Sequence, residues 1–263
     1  MRVGIVGAGP AGVTAAVFLS RYGIDVTIFE KEEIGGLIAN AWRIENLPIL
    51  SPCSGEELIA VLRKRLEESR VKVVYEEVLS AEDGVLKTKS NSYSFEKLIV
   101  ATGTKPKRIE DFELNRSVVY EFKRLPRGIG RLAIYGAGDA AFDGALKAKE
   151  VGIKEVHVFN RTDRIRAVPK LVQLALSSGV KYHPSEPIRK VEDRHGDLEL
   201  YTDVGCYQFE ALLLCLGRVP NLPVLRGETK DLYVVGDASG NFRQLAIAMG
   251  HALEVCMKIV HGE

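Results

Sequence analysis

The stretch RVGIVGAGPAGVTAAVFLSRYGIDVTIFE, residues 2–30, decides the fold of this chain. It contains a short apolar run, a glycine turn, an alanine-rich stretch of helical character and a second apolar run that ends at Glu30. A strand, a glycine turn, a helix and a second strand form the unit that carries the G-x-G-x-x-G dinucleotide fingerprint. Because the turn stands in the context that the motif requires, a glycine turn without a ligand is the disfavoured interpretation.

The residues of this first motif have separate predicted roles. Gly7 makes the tight turn, Gly9 lets backbone N–H groups approach a pyrophosphate, and Gly12 lets the helix pack closely on the strand. The phosphates are then expected at the positive N-terminal end of the helix. Glu30, about twenty residues on, is placed to accept both hydroxyls of an adenosine ribose. The candidate cofactor-binding residues here are Gly7, Gly9, Pro10, Ala11, Gly12, Glu30 and Lys31.

The same pattern returns in residues 131–161, RLAIYGAGDAAFDGALKAKEVGIKEVHVFNR. Gly136 aligns with Gly7 and Gly138 with Gly9, and the third motif position is Ala141, which is still small enough for close packing. Internal repetition of this kind indicates two copies of one supersecondary unit. The sequence therefore predicts two dinucleotide sites in two domains.

The two copies differ at the end of the second strand. The first copy ends in Glu30, whereas the second ends in Asn160-Arg161 and continues to Arg164 and Arg166. A carboxylate repels a 2′-phosphate, while arginines bind it through charge-assisted pairs. NADPH is therefore favoured over NADH, with NAD retained as an alternative, and Arg164 is the arginine most readily explained as a solvated strand end. The candidate residues of this second motif are Gly136, Gly138, Asp139, Ala140, Arg161 and Arg166.

Turn and linker residues divide the chain into domains. Lys105-Pro106-Lys107 follows a buried strand as a polar linker, and the turn that begins at Gly217 marks the return crossing. We therefore expect a discontinuous first domain of residues 1–104 and 217–263, with a second domain of residues 105–216 inserted in it. A final helix is expected over about residues 242–260, capped by Ser239 or Asn241.

Composition excludes several classes of protein. Apolar residues make up 46% of the chain and charged residues 27%, and the formal net charge is +1. These values are ordinary for a soluble globular protein and give no reason to expect a nucleic-acid or membrane partner. No apolar run approaches the roughly twenty residues that span a bilayer. We therefore expect a soluble, cytoplasmic protein.

The chain has four widely spaced cysteines and no CxxC pair. Cys215 lies in an apolar strand and Cys256 in the final helix, where inert buried thiols are expected. The five histidines never stand near a cysteine at ligand spacing, so no metal site is predicted. The four cysteines are Cys53, Cys206, Cys215 and Cys256.

Taken together, six separated motifs resemble the low-molecular-weight thioredoxin reductase family of flavoproteins, in the pyridine nucleotide-disulfide oxidoreductase superfamily. The resemblance implies an α/β fold of two Rossmann-like three-layer domains, the second inserted in the first. It also implies FAD in the first domain, a nicotinamide nucleotide in the second, and a homodimer. The motifs are GAGPAG with Glu30, ATG at 101–103, GAGDAA with Arg161 and Arg166, GRVPN at 217–221, VGD at 235–237, and Arg243-Gln244.

By the same resemblance, Asp237 hydrogen-bonds the ribityl or pyrophosphate region of FAD. Asn46, Gly36 and the Arg243-Gln244 backbone line the flavin, and Leu37 stands where the family usually has glutamine. The further candidate residues that the resemblance adds are Gly35, Val78, Ala101, Thr102, Gly103, Gly217, Gly236 and Leu245.

One departure from the family bears on mechanism. Thioredoxin reductases carry a CxxC just before the second glycine motif, and the matching segment here, residues 117–122, is SVVYEF. Thioredoxin-reductase-like ferredoxin–NADP reductases share this loss and carry aromatic residues there, which Tyr120 and Phe122 resemble. We therefore predict a FAD-dependent NAD(P)H oxidoreductase that passes electrons from the flavin directly to a ferredoxin-like carrier, a quinone or a small molecule.

Other interpretations stay open at this point. The chain is alternatively a flavin-binding protein without turnover, used for binding or redox sensing, or a disulfide reductase that works through one cysteine such as Cys53. No catalytic side chain is predicted, since His251 stands in a helix. Four cations lie near the domain junction: Lys123, Arg124, Arg127 and Arg131. One interpretation is that they dock an acidic carrier, and the other is that they belong to a solvated linker.

Overall fold

The computed structural model describes residues 1–227, 231–240 and 242–262, which form two compact units. The first unit comprises Met1–Ala39, Ile44–Lys105 and Arg218–Glu263, and the second comprises Asn40–Arg43 and Pro106–Gly217. The two main crossings lie one residue after the predicted boundaries. The second unit is thus inserted in the first.

The secondary structure is α/β, as predicted. The strands are β1 (Arg2–Val6), β2 (Asp25–Phe29), β3 (Lys72–Val74), β4 (Val78–Glu82), β5 (Val85–Thr88), β6 (Ser92–Ser94), β7 (Lys97–Val100), β8 (Thr104–Pro106), β9 (Val118–Val119), β10 (Arg131–Tyr135), β11 (Glu155–Phe159), β12 (Lys181–His183), β13 (Ile188–Arg194), β14 (Asp197–Thr202), β15 (Cys206–Phe209), β16 (Ala211–Leu214), β17 (Arg218–Pro220), β18 (Val224–Arg226) and β19 (Leu232–Val234). The α-helices are α1 (Pro10–Ser20), α2 (Gly55–Glu68), α3 (Asp139–Glu150), α4 (Pro169–Ser177) and α5 (Leu245–His261).

The first unit has three layers. Its central sheet is parallel, with the strand order β19-β7-β1-β2-β3. Helix α1 packs on β1 and β2 and against α5. Val6, Phe29 and Leu98 point to the opposite face, where they pack with Ala81 and Leu86 of a second sheet ordered β18-β4-β5-β6. Strand alternation thus gives the parallel sheet two buried faces.

The second unit repeats this plan. Its parallel sheet has the order β12-β11-β10-β16-β9, and an antiparallel sheet has the order β13-β14-β15. Leu132 and Ile134 of β10 pack with Phe142 of α3, whereas Ala133 and Tyr135 belong to the core on the side of the antiparallel sheet. The two units therefore share the Rossmann-like, three-layer architecture expected from the internal repeat.

Residues 40–43 lie in the second unit, although the sequence placed them in the first domain. The backbone N–H of Trp42 donates to Asp143 Oδ2 at 2.8 Å, and its indole N–H donates to Glu150 Oε2 at 2.5 Å. Burial raises the pKa of Asp143, and the hydrogen bond from Trp42 opposes that rise. Both acceptors stand on α3, so two directional bonds hold this short segment to that helix.

The final helix begins later than predicted. Helix α5 starts at Leu245, with the extended residue Gln244 as its N-cap and no side-chain capping bond. Ser239 instead donates through its hydroxyl to Gly236 O at 2.7 Å, and Asn241 lies outside the described residues. Phe242 is 84% exposed, so no packing draws it into the helix.

The segment of residues 117–122, where the resemblance leads one to expect a CxxC, is packed. The Tyr120 hydroxyl donates to Glu113 Oε1 at 2.6 Å and accepts from the Ile109 N–H at the same distance. Arg108 Nε donates to Glu113 Oε1 at 2.7 Å. The Phe122 ring lies under the ammonium group of a lysine of α3. Tyr120 and Phe122 are thus held by the second unit itself.

Replacing Glu113 is expected to reduce the loss of unfolding free energy that occurs as the pH falls into the acid range. Hydrogen bonds from Arg108 and then Tyr120 lower the pKa of Glu113 to about 2 from its usual 4.5. Its stabilising contribution is present above the unfolded pKa and is lost as pH falls from about 4.5 towards 2. Glu113→Gln should therefore show a smaller decline in unfolding free energy over this window, measured by urea denaturation. A decline as steep as that of the wild type would contradict this.

Candidate cofactor sites

The first glycine turn leaves no room for side chains at two of its positions. Gly7 has φ +101°, and a Cβ on it would lie 2.6 Å from the carbonyl oxygen of Ala101. A Cβ on Gly12 would lie 1.9 Å from the carbonyl oxygen of Gly7. Strand β1, the turn, α1 and the segment after β7 therefore meet at backbone contact distance. This agrees with the tight turn predicted at Gly7 and the close helix packing predicted at Gly12.

Gly9 is different, because no atom lies within 4 Å of the Cβ that it lacks. It is the N-cap of α1, which has Pro10 in its first turn and no side-chain capping bond. The N-terminal N–H groups of a helix have no acceptors within that helix and attract anions. The turn therefore combines an open side with helix N–H donors, which is the arrangement a pyrophosphate needs.

Two loops lie against this turn. The Gly35 N–H donates to Ala8 O at 2.8 Å, and a Cβ on Gly36 would lie 3.4 Å from the Cα of Gly9. Glu30 Oε2 accepts from the Ala8 N–H at 2.9 Å. The carboxylate expected to bind a ribose is thus fixed beside the glycine turn.

The other end of the chain reaches the same place. Gly236 has φ +65°, and a Cβ on it would lie 2.9 Å from the Cβ of Ala11 in α1. The next residue is Asp237. Burial raises the pKa of its carboxyl group, and the charges of Arg243 and Arg218 oppose that rise without cancelling it. The structure therefore brings together the GAGPAG and VGD motifs, which the sequence separates by more than two hundred residues.

Two further observations bear on whether the first unit fits FAD. The side chains of Asn46 and Gln244 are joined by a hydrogen bond from Nδ2 to Oε1 of 2.7 Å. Thr102 Oγ1 is buried and has no hydrogen-bond partner among the described residues. A buried hydroxyl without a partner carries a desolvation cost that a ligand can relieve. This hydroxyl and the open side of Gly9 fit a bound dinucleotide.

The second glycine turn has the same geometry. Gly136 has φ +132°, and a Cβ on it would lie 2.4 Å from the carbonyl oxygen of Cys215, while Gly138 has open space beside it. Ala141 is fully buried. Gly138 is the N-cap of α3. The second unit therefore also presents an open side and a helix N-terminus, and it fits a second nucleotide.

The arginine loop that follows β11 is attached to this second turn. The Arg166 N–H donates to Ala137 O at 2.8 Å, and Asp139 Oδ1 accepts from the Val168 N–H at 2.8 Å. The side chains of Arg161 and Arg166 are exposed, and the described part of the chain supplies neither with an ion-pair partner. Asp139 is thus occupied within the protein, whereas the two arginines are available.

Some predicted residues have other surroundings. The Val78 side chain packs in the core with Phe29. Lys31 Nζ lies 3.5 Å from Glu77. The remaining candidates occupy turns and element ends: Leu37 in a 3₁₀-helix, Ala101 and Gly103 after β7, Ala140 in α3, Gly217 before β17 and Leu245 at the start of α5.

The predicted cationic cluster is partly occupied. Arg131 Nη2 donates to Asp197 Oδ2 at 3.0 Å, and its Nε lies 3.5 Å from Glu210 Oε1. Lys123 and Arg124 also have partners. Arg131 therefore forms ion pairs within its own unit, and its role in docking an acidic carrier stays a prediction.

A chain of hydrogen-bonded polar groups, of which His157 and Glu186 are buried, was not predicted. His157 Nδ1 lies 3.0 Å from His183 Nε2, and His183 Nδ1 lies 2.9 Å from Glu186 Oε2. His157 Nε2 lies 2.9 Å from Glu155 Oε1, and burial lowers the pKa of His157. Asn160 is buried beside these groups, and its carbonyl accepts from the Glu186 N–H at 2.8 Å. The contact between His157 of β11 and His183 of β12 joins two strands, so no spacing along the sequence reveals it.

None of the four cysteines takes part in a disulfide bond. Cys256 is fully buried, and burial raises the pKa of its thiol to about 12. Within residues 1–227, 231–240 and 242–262, no group of histidine, cysteine and acidic side chains is arranged to hold a metal ion. Across the same residues, no helix combines the length and apolarity needed to cross a membrane.

Two glycine turns, each at a helix N-terminus beside an open space, define an α/β protein with two dinucleotide sites. The family model for pyridine nucleotide-disulphide oxidoreductases matches residues 1–252. The chain belongs to this family, and the resemblance stated from the sequence motifs is confirmed.

Individual relatives agree with this assignment. The chain is 29% identical to a thioredoxin reductase of Ureaplasma parvum over 65% of its own length and 58% of the relative's. It is 31% identical to a ferredoxin–NADP reductase of Ignicoccus hospitalis over 67% of its length and 62% of the relative's. The matches thus span about three fifths of these relatives. The crystal structure of Lactococcus lactis thioredoxin reductase superposes with a TM-score of 0.87 at 22% identity, covering 99% of this chain and 98% of the other, which shows the shared fold.

Proposed function

We propose that this protein is a FAD-dependent NAD(P)H oxidoreductase that passes electrons from the flavin directly to an acceptor, without a redox dithiol. FAD binds the first unit and the nicotinamide nucleotide binds the second. The observation that carries the proposal is the pair of intact glycine turns combined with the absence of any CxxC in the sequence. When bound, FAD would supply the group that accepts a hydride and then passes electrons to the acceptor.

The residues of the chain bind and orient the cofactors. The α1 N-terminus and Gly9 hold the pyrophosphate of FAD, and Glu30 holds its adenosine ribose. Asp237 and Thr102 supply polar contacts, the latter through its unpartnered hydroxyl. In the second unit, the α3 N-terminus holds the nucleotide pyrophosphate. The exposed Arg161 and Arg166 favour the 2′-phosphate, and hence NADPH over NADH.

The acceptor belongs to the same proposal. The ferredoxin–NADP reductase relative supports a one-electron carrier protein, and a quinone or a small molecule is the alternative. Arg127 is the exposed cation left from the predicted cluster once the residues that have partners are removed. One remaining cation gives little support to a docking site for an acidic carrier. We also propose the homodimer that the family resemblance implies.

Anaerobic stopped-flow mixing tests the hydride step. Purified protein loaded with FAD is mixed with NADPH or with NADH, and the oxidised-flavin absorbance is followed. We expect bleaching by NADPH, slower bleaching by NADH, and recovery when ferredoxin or a water-soluble quinone is added. Persistence of the oxidised-flavin band with both nucleotides would overturn the proposal and favour a flavin-binding protein without turnover.

A cysteine-free variant is expected to retain its turnover. The changes are Cys53→Ser, Cys206→Ser, Cys215→Ser and Cys256→Ala, the last because Cys256 is buried in the core. If electrons leave the flavin directly, kcat with NADPH and the preferred acceptor should stay within about twofold of wild type, since no thiol takes part. The Cys53→Ser single variant is the matched control for the disulfide-reductase alternative. Loss of activity in either variant, with flavin content retained, would contradict direct transfer.

A further inference from the structure

Asn160 stands at the C-terminal end of β11, immediately before Arg161. It is only 5% exposed, which is unusual for asparagine. We propose that Asn160 is a positioning residue that holds the arginine loop, residues 161–168, in the conformation that recognises the 2′-phosphate of NADP(H). This rests on the proposed function, because it concerns the nucleotide site of the second unit.

The side-chain amide of Asn160 binds the loop directly. Its Nδ2 donates to the carbonyl oxygen of Arg164 at 3.1 Å and to the hydroxyl of Tyr182 at 2.9 Å. A backbone carbonyl only accepts, so the bond to Arg164 fixes which side of the amide carries the N–H groups. The bond closes a turn from residue 160 to residue 164, and Arg161 stands at the start of that turn.

The backbone of Asn160 ties the same position to the end of β12. Its N–H donates to His183 O at 3.0 Å, and its carbonyl accepts from the Glu186 N–H at 2.8 Å. The Ser185 N–H donates to Thr162 O at 3.0 Å. The backbone N–H and carbonyl groups of Asn160 are therefore both fixed to the end of β12. Because the backbone is fixed, the side-chain amide holds Arg164 at a defined position.

The far end of the arginine loop is fixed at the glycine turn. The Arg166 N–H bonds to Ala137 O, and the Val168 N–H bonds to Asp139, both at 2.8 Å. The loop is thus attached at its start through Asn160 and at its end beside Gly138, where the pyrophosphate is expected. The Asn160 side chain holds the part between these ends through its bond to Arg164 O, and its Oδ1 also accepts from the Thr162 N–H at 3.5 Å.

The charges of the loop explain why its conformation matters. Arg161, Arg164 and Arg166 are exposed cations, and Asp163 is an exposed carboxylate between them. The arginines increase the affinity for an anionic ligand only if the Asp163 carboxylate is directed away from that ligand. A loop that is free to move places both signs of charge near the ligand. Holding Arg164 O therefore favours a phosphorylated ribose over a plain one.

The test compares two nucleotide fragments that differ by the 2′-phosphate. Binding of adenosine 2′,5′-bisphosphate and of 5′-AMP to the full-length, FAD-loaded protein is measured by calorimetry. In Asn160→Ser, the side chain is too short to reach the Arg164 carbonyl, and the change adds no charge that would itself repel the 2′-phosphate. We expect about tenfold weaker binding of the bisphosphate and less than twofold change for 5′-AMP. Tyr182→Phe is the matched control, because it removes one acceptor of Nδ2 and leaves the loop bond, and both affinities should stay within about twofold.

Each other outcome overturns the inference. Equal weakening of both fragments indicates a general structural role, and unchanged binding of both shows that the loop does not depend on Asn160. A wild type that binds neither fragment shows that this site does not take the nucleotide. If Asn160→Ser does not fold, Asn160→Ala replaces it with the same expected ratio, since alanine has no donor for the Arg164 carbonyl. Flavin bleaching of the wild type by NADPH and NADH decides the proposed function separately.

Discussion

Gly12→Ala is expected to destabilise the protein by about 3 kcal/mol and to abolish FAD binding, because overpacking of this severity lies at the upper end of the usual range. The added Cβ would lie 1.9 Å from the carbonyl oxygen of Gly7. That oxygen belongs to a backbone turn fixed against Ala101, so it cannot rotate away as a flexible side chain does. Helix α1 would have to move off β1, and the N–H groups that form the FAD site would move with it.

Urea denaturation of the apoprotein and flavin content after purification measure the two effects. Gly250→Ala is the matched control, because Gly250 stands in α5 with no atom within 4 Å of the missing Cβ. An exposed helical glycine replaced by alanine should gain up to about 1 kcal/mol. If the Gly12→Ala protein had wild-type stability and full flavin content, the close packing at Gly12 would be needed neither for stability nor for FAD binding.

The parts of the fold that were predictable depend on local patterns. Positions 7, 9 and 12 show their spacing directly, and the apolar runs on either side give the strands their length. The repeat at residues 131–161 added a second observation of the same unit. The inserted second domain followed from where the turns stand relative to these two motifs. Each of these inferences requires only neighbouring residues.

The structural features that were missed depend on contacts between distant residues. Residues 40–43 carry no helix or strand pattern, and their position follows from bonds of Trp42 to Asp143 and Glu150, about a hundred residues later. The late start of α5 has a related cause. Phe242 extends an apolar pattern in sequence, but its 84% exposure shows that no surface covers it.

The candidate sites were predictable where the motif itself carries the chemistry. Gly9, Gly138 and Glu30 stand where the fingerprint placed them, beside helix N-termini. The Val78 side chain packs with Phe29 in the core, and the place of Val78 in the cofactor site stays a prediction. Asn160 was visible in the sequence only as the absence of a carboxylate. Its bonds to Arg164 and Tyr182 are set by the fold of the second unit.

Gly9→Ala is expected to weaken FAD binding about 100-fold while leaving the apoprotein folded, because the methyl group keeps the pyrophosphate from two or more N–H donors. No atom lies within 4 Å of the missing Cβ, and its backbone is extended, so the loss of stability should not exceed about 1 kcal/mol, the cost of alanine at an N-cap. Gly138→Ala is the matched variant, since Gly138 has the same open surroundings in the second unit. It should keep its FAD and lose about 100-fold in NADPH affinity by the same reasoning. Fluorescence titration of FAD into apoprotein and calorimetry with NADPH separate the two. If both variants lost the same cofactor, or if Gly9→Ala kept wild-type FAD affinity, the assignment of one nucleotide to each glycine turn would be wrong.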